Sequence, residues 1–322
     1  MVAEADFGSL PFAVAIFLQG WLSLLMNVLL ALSIVTSASN RVRKQYTVIV
    51  GVCLSESLLA LSFIVLSVHW IVHLFSNYGR PRPPHLMSLV PATNRESFQC
   101  LSMPYNVLFA VSYQCVGVAT LLAAVDRFLS ELFPRLYSKL SIVDIGVAIV
   151  VGFILSFIPL LAALNFSRTA RVDFYSNRPY LYMALDAISD TISPFFVLFR
   201  LVTVSASICL ALPVLYVENR QQRKLFKTTS KAKTVVTPSA SQSSSRQRTW
   251  RSSIIGFAIV TSMAFLIVPD ALTVTREFSH KDVFLSVYLS NQFRSWLNAS
   301  VFFAKHGNLR RQLAELFCLV KG

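Results

Sequence analysis

Charge is what this sequence has least of. Only 14% of its 322 residues are Asp, Glu, Lys or Arg, where soluble domains carry about a quarter. With 55% hydrophobic residues, that shortage excludes an ordinary water-soluble domain and points to a bilayer as solvent. Acidic residues are scarcer still, 15 against 29 basic ones. There are 5 histidines and no His-rich metal motif, and no nucleophile-base set stands out, so neither an enzyme nor a cofactor is expected. Five cysteines (Cys53, Cys100, Cys115, Cys209, Cys318) show no metal or disulfide spacing. Cys53, Cys115 and Cys209 fall within apolar runs, where a thiol behaves as a small apolar group.

Long apolar runs are abundant. A helix needs about 20 apolar residues to cross the hydrocarbon core, and seven runs suffice: roughly 9–36, 46–75, 99–128, 141–164, 191–217, 253–275 and 282–304. The expected fold is all-α, a seven-transmembrane bundle over 1–304, with 305–322 as a tail. The first run follows Glu4 and Asp6 rather than a basic stretch and exceeds a signal-peptide core, so it is read as a helix. Basic loops stay on the cytoplasmic side. Loop 37–45 carries Arg41, Arg43 and Lys44, 217–252 holds nine basic residues against Glu218, and the tail is also basic. The alternate loops are nearly balanced, which puts the N-terminus outside and the C-terminus inside a multi-pass plasma-membrane protein. Positive-inside bias and attraction to anionic lipid account for the net charge of +14 without a nucleic acid. Asn165-Phe166-Ser167 is then a glycosylation acceptor in an outer loop, whereas Asn298-Ala299-Ser300 lies within the seventh run.

The stretch 227–248 is rich in Ser, Thr and basic residues, and the inner loop of about 220–250 is expected to be disordered, either a phosphorylation target or a solvated spacer. Four prolines keep the outer loop 77–97 from forming a regular helix, leaving a lid or a linker. Beyond the seventh run, Leu309, Leu313, Leu316 and Phe317 stand at helical spacing opposite Arg310 and Arg311, as in a short amphipathic helix on the inner surface. Cys318 near its end is a candidate palmitoyl acceptor.

One motif has a longer reach. Asp126-Arg127-Phe128 closes the third run, with Pro134 eight residues and Tyr137 eleven residues after the Asp. This resembles the Asp-Arg-Tyr signature of rhodopsin-like G-protein-coupled receptors, with Phe in place of Tyr. Asn27 resembles the family's helix-one Asn, Glu56 stands where it has an Asp in helix two, Pro269 resembles the helix-six proline, and Asn298 to Phe302 resembles a degraded Asn-Pro-x-x-Tyr. The sequence also departs from the pattern. Ile267 replaces the usual Trp two residues before Pro269, Thr249, Trp250 and Arg251 supply no acid to hold Arg127, and 165–190 has no cysteine to pair with Cys100. Such divergence with a short N-terminus is similar to the chemosensory receptors of nematodes.

The resemblance implies a receptor that carries an extracellular signal to a heterotrimeric G protein through Asp126, Arg127, Pro134 and Tyr137. The alternative is a transporter or channel, against which no paired Gly/Pro-broken helices appear. Charges at mid-bilayer depth are expensive and normally face the interior; the four residues that qualify are Glu56, Arg200, Asp270 and Arg294. Arg200 lies about 13 Å down the fifth run. It pairs with Asp270, takes an acidic ligand or snorkels along its helix. Phe109, Tyr113 and Gln114 are pocket candidates with them. Receptors for biogenic amines carry an Asp where Phe109 stands, so a non-amine small molecule is expected. Arg294, one turn before Asn298, shares its face and is expected to pair with Glu56 in the cavity where the family often holds sodium; the competing reading has Arg294 facing ligand or water.

Overall fold

A computed structural model describes residues 10–36, 44–76, 102–167, 193–231, 261–268, 270–271 and 280–305. These residues are helical apart from short turns, with no strand among them. The helices are α1 (Leu10–Thr36), α2 (Lys44–Ser76), α3 (Pro104–Leu132), α4 (Pro134–Lys139), α5 (Ile142–Leu155), α6 (Ile158–Ser167), α7 (Ser193–Lys231) and α8 (His280–Lys305), with a π-helical turn over Met263–Ile267 between α7 and α8. Five stretches are long and apolar enough to cross a membrane: Leu10–Thr36, Lys44–Val72, Pro104–Leu132, Ile142–Asn165 and Phe195–Gln221. The described residues are thus all-helical, and five of their stretches have the length and apolarity of membrane spans. α8, at 26 residues, is about 39 Å long at 1.5 Å per residue.

Local chemistry sets most boundaries. Pro104 opens α3 at a position whose N–H has no intrahelical partner. Phe133, which precedes Pro134, cannot comfortably keep the helical conformation, so α3 stops there and α4 begins. Six residues therefore separate Asp126 from the end of α3, and the Asp-Arg pair is not terminal as the apolar run suggested. A reciprocal capping box starts α5: Ser141 Oγ accepts from the Asp144 amide at 3.1 Å, and Asp144 Oδ2 accepts from the Ser141 amide at 2.7 Å. The run 141–164 is broken at Ser156 and Phe157. Pro159 has no N–H for the Leu155 carbonyl, and Ser156 Oγ donates to the Gly152 carbonyl at 2.9 Å. Asn165 falls inside α6 rather than in a loop, because nothing from Leu160 to Phe166 breaks a helix. Similarly, α7 continues to Lys231, beyond the expected end at 217 and into the stretch read as disordered, because Gln, Arg, Lys and Leu are good helix formers. The proposed surface helix with Cys318, and Pro269, lie outside the described residues.

α3 sits innermost, touching α2, α7, α5 and α6, while Ile142–Asn165 is the most peripheral span. The main apolar core joins Ile16, Phe63, Phe109, Tyr113, Leu160 and Phe196; a second joins Leu30, Ile34 and Cys53 to Ala299 and Phe303 of α8. α1 lies close against α2 because position 20 is glycine: a Cβ there would come within 2.9 Å of Ile64 Cγ1. Outward faces carry exposed apolar side chains such as Leu18, Trp21, Val147, Ile154 and Leu161, the surface that hydrocarbon favours and water does not. Several interior hydroxyls are satisfied within their own helix. Ser33, Ser55, Ser62 and Ser67 each donate to a carbonyl three residues back at 2.7–2.9 Å, so these polar groups need no partner helix.

Candidate functional site

The organising element is one face of α8. Asn291, Arg294, Ser295 and Asn298 recur at intervals of three and four, so they stack along a single stripe. Each meets a different part of the bundle. Asn291 Oδ1 accepts from Arg200 Nη2 of α7 at 2.6 Å, and Arg294 is ion-paired and hydrogen-bonded to Glu56 of α2. Ser295 Oγ accepts from Ser23 Oγ at 2.7 Å and from Asn27 Nδ2 at 2.9 Å, both on α1. Asn298 Oδ1 accepts from Thr261 Oγ1 at 3.3 Å. A polar seam thus runs through the buried interior of the bundle, where a charge is tolerated only with partners at hand.

At one end of the seam, Arg200 of α7 is wholly buried and reaches three other elements. Its guanidinium lies 3.7 Å from the centre of the Tyr113 ring on α3, a cation–π contact. Its Nε is 3.4 Å from Asp270 Oδ2, and Nη2 donates to Asn291. Tyr113 Oη donates to Asp270 Oδ1 at 2.5 Å, so the carboxylate is shared between phenol and guanidinium. Gly117 makes room for this arrangement: a Cβ there would lie 2.6 Å from Thr203 Oγ1 and 3.3 Å from Arg200 Cγ. Gln114 Nε2 donates to the Phe196 carbonyl at 2.9 Å, pinning α3 to α7 one turn before Arg200. Arg200 therefore does not snorkel, and Asp270 is its partner.

Asp270 follows the π turn closely. The Val268 amide donates to the Met263 carbonyl, five residues back. Such single widened turns inside a helix are rare and gather at functional sites.

A third cluster lies where α3 meets α4. Asp126, largely buried, accepts from Tyr137 Oη at 2.8 Å. Lys44 at the start of α2 donates to the Tyr137 and Ser138 carbonyls at 3.0 and 3.3 Å, with its ammonium 5.2 Å from the centre of the Tyr137 ring. Burial, then the hydrogen bond to Asp126 and its charge, push the Tyr137 phenol well above its ordinary range, so it remains a donor at neutral pH. Arg127 is half-buried beside this contact, and Pro134 is exposed at the first turn of α4.

The structure brings together Glu56 with Arg294, Arg200 with Asp270 and Tyr113, and Asp126 with Tyr137, while Gln114 bonds α7 one turn before Arg200. It separates others. Asn27 bonds Ser23 and Ser295 rather than the Glu56 carboxylate. Phe109 is packed between Phe63 and Tyr113, with ring centroids 5.8 and 5.2 Å away. Phe302 packs in the second apolar cluster. Asn165 is exposed on α6. Asn291, Ser295, Ser23, Thr261 and Lys44 are additions. The first two were legible in "NQFRSWLN", residues 291–298, whose polar residues repeat at helical spacing.

Among the described residues no cluster of His, Cys, Asp or Glu suits a metal ion. Neither a protein-family model nor a curated protein matches the chain.

Proposed function

We propose that this protein is a seven-helix receptor of the rhodopsin-like kind, which carries a small extracellular signal molecule's binding to a heterotrimeric G protein. The sixth span contains the π turn, α8 is the seventh, and the Asp126 end faces the cytoplasm of the plasma membrane. The observation that carries this reading is the contact of Asp126 with Tyr137, eleven residues apart in the signature motif, which leaves Arg127 half-exposed at the mouth of the bundle. The polar seam supplies the second requirement, an interior with alternative pairings through which a ligand can shift the balance between two packings. Arg127 is the contact to the G protein, assisted by the basic stretch 217–252.

In membranes containing the protein, added ligand should raise guanine-nucleotide exchange, and Arg127→Ala should abolish that rise while leaving surface expression and ligand affinity unchanged. Full coupling by Arg127→Ala removes Arg127 from its role. The buried charges Glu56, Arg200, Asp270 and Arg294 also suit a transporter. Solute or ion flux without nucleotide exchange, in the same cells, replaces the receptor reading with that one. The Arg294 guanidinium takes the place of a cation beside Glu56, so ligand affinity should be the same in sodium and in potassium salts.

A further inference from the structure

Arg200 is bonded less fully than its burial demands. A guanidinium has five N–H donors, and a buried one ordinarily finds partners for them, because an unmet charged donor in low dielectric is costly. Here Nη2 donates to Asn291, Nε has only the 3.4 Å ion contact, and Nη1 has no hydrogen-bond partner. The acceptors around it are incomplete as well. Asp270 Oδ2 and Gln114 Oε1 are buried without a hydrogen bond, although Asp270 Oδ1 and Gln114 Nε2 are both engaged. Gln114 belongs to this cluster because Phe196, to which it is bonded, precedes Arg200 by one helical turn.

The unmet groups are thus of both kinds, cationic donors and anionic or neutral acceptors, held by α3, α7 and the segment after the π turn. A simple anion would satisfy Arg200 but leave two negative charges against one positive in a fully buried site. A simple amine would do the reverse. A molecule with both charges keeps the site neutral and meets both sets of groups. We propose that this site binds a small zwitterion of the α-amino acid class, its carboxylate on Arg200 Nη1 and Nε and its ammonium on Asp270 Oδ2 and Gln114 Oε1. Tyr113 and Phe196, stacked with centroids 5.8 Å apart, form an aromatic wall that favours an apolar or aromatic side chain. The absence of an acid at Phe109 does not oppose such a ligand, because Asp270 supplies one from another helix. The closed site must open to admit it. The π turn that ends three residues before Asp270 is the element placed to do so: its conversion to regular α-helix rotates the following residue by about 100°. The proposal deepens the receptor reading and rests on it for access from outside.

The test uses the full-length protein in lipid nanodiscs, with phenylalanine as probe beside phenethylamine and 3-phenylpropionate, which each lack one charged group. Phenylalanine should raise the thermal unfolding midpoint saturably, and the two truncated analogues should act only at concentrations about tenfold higher or more, the loss of a charge-assisted hydrogen bond. Asp270→Asn should shift the preference toward 3-phenylpropionate. Arg200→Gln alone leaves Asp270 unpaired and is at risk of misfolding, so the neutral double variant Arg200→Gln with Asp270→Asn provides the control, and it should fold without responding to phenylalanine. If wild type is unmoved by phenylalanine and by leucine, or responds to 3-phenylpropionate as strongly as to phenylalanine, the proposal is overturned and water fills the site. Zwitterion binding without nucleotide exchange upholds the site and removes the signalling role. Exchange evoked by other compounds, with no zwitterion bound, does the opposite.

Discussion

At the scale of single residues, this interior concentrates its risk in a few polar contacts. Removing either partner of Glu56 and Arg294 leaves a charge buried alone, at a typical cost of about 3–5 kcal/mol. Glu56→Ala or Arg294→Ala should therefore sharply lower folded yield and surface expression. The exchange Glu56→Arg with Arg294→Glu should recover part of both; no recovery would show that packing, not charge, decides there. Tyr137→Phe removes the hydrogen bond to buried Asp126 and should destabilise by about 1–3 kcal/mol. Because the phenol's folded pKa lies above its unfolded value of about 10, this contribution is fully present below pH 10 and is lost only as pH rises through the folded value. Wild type and Tyr137→Phe, compared by thermal unfolding at pH 6 and pH 9, should differ by the same amount, and a gap that closes by pH 9 would contradict that assignment. Gly117→Val inserts branched carbons where even a Cβ lies 2.6 Å from Thr203 Oγ1. It should impair folding far more than Gly146→Val, which meets nothing within 4 Å.

At the scale of elements, hydrophobic run length located the spans because a bilayer demands it, and the five candidate spans start or end within a few residues of the runs read from sequence. What escaped were features decided by backbone chemistry inside an apolar stretch. The break at Ser156 and the placement of Asn165 in a helix depend on which carbonyls lose a donor, and composition does not show this. The π turn belongs with them: Pro269 announces a disturbance in the sequence but not how many residues absorb it. The site was half legible. Charged residues in apolar surroundings must find partners, so Glu56, Arg200, Asp270 and Arg294 stood out at once. Ser23, Asn291 and Ser295 are unremarkable singly and gain meaning only from the face of α8 they share or meet. That face yields its own prediction: Asn291→Leu removes the Arg200 contact at 2.6 Å and should disturb the Arg200 cluster more than the Ser23–Ser295 bond one turn away. Hydrogen exchange across α7 and α1 will distinguish the two.

At the scale of the whole molecule, the seam joins parts of the chain made far apart in time. Glu56 and Arg294 are separated by 238 residues, about 10–50 s of ribosomal synthesis. The locally bonded serines of α1 and α2 impose no such delay, since each is satisfied as soon as its own helix forms. Glu56 has to wait in the bilayer for α8 to arrive. The nascent chain is thus marked as unfinished by a carboxyl group facing apolar surroundings, a feature that quality control in the membrane of synthesis can read. A chain ended at residue 279 should be retained and degraded quickly in a pulse-chase experiment, and Glu56→Leu should lengthen its lifetime, although the same change shortens that of the full-length protein. If Glu56→Leu leaves the truncated chain's lifetime unchanged, the unpaired carboxyl is not the mark. Otherwise, release from the organelle is timed by one ion pair that only a completed chain can make.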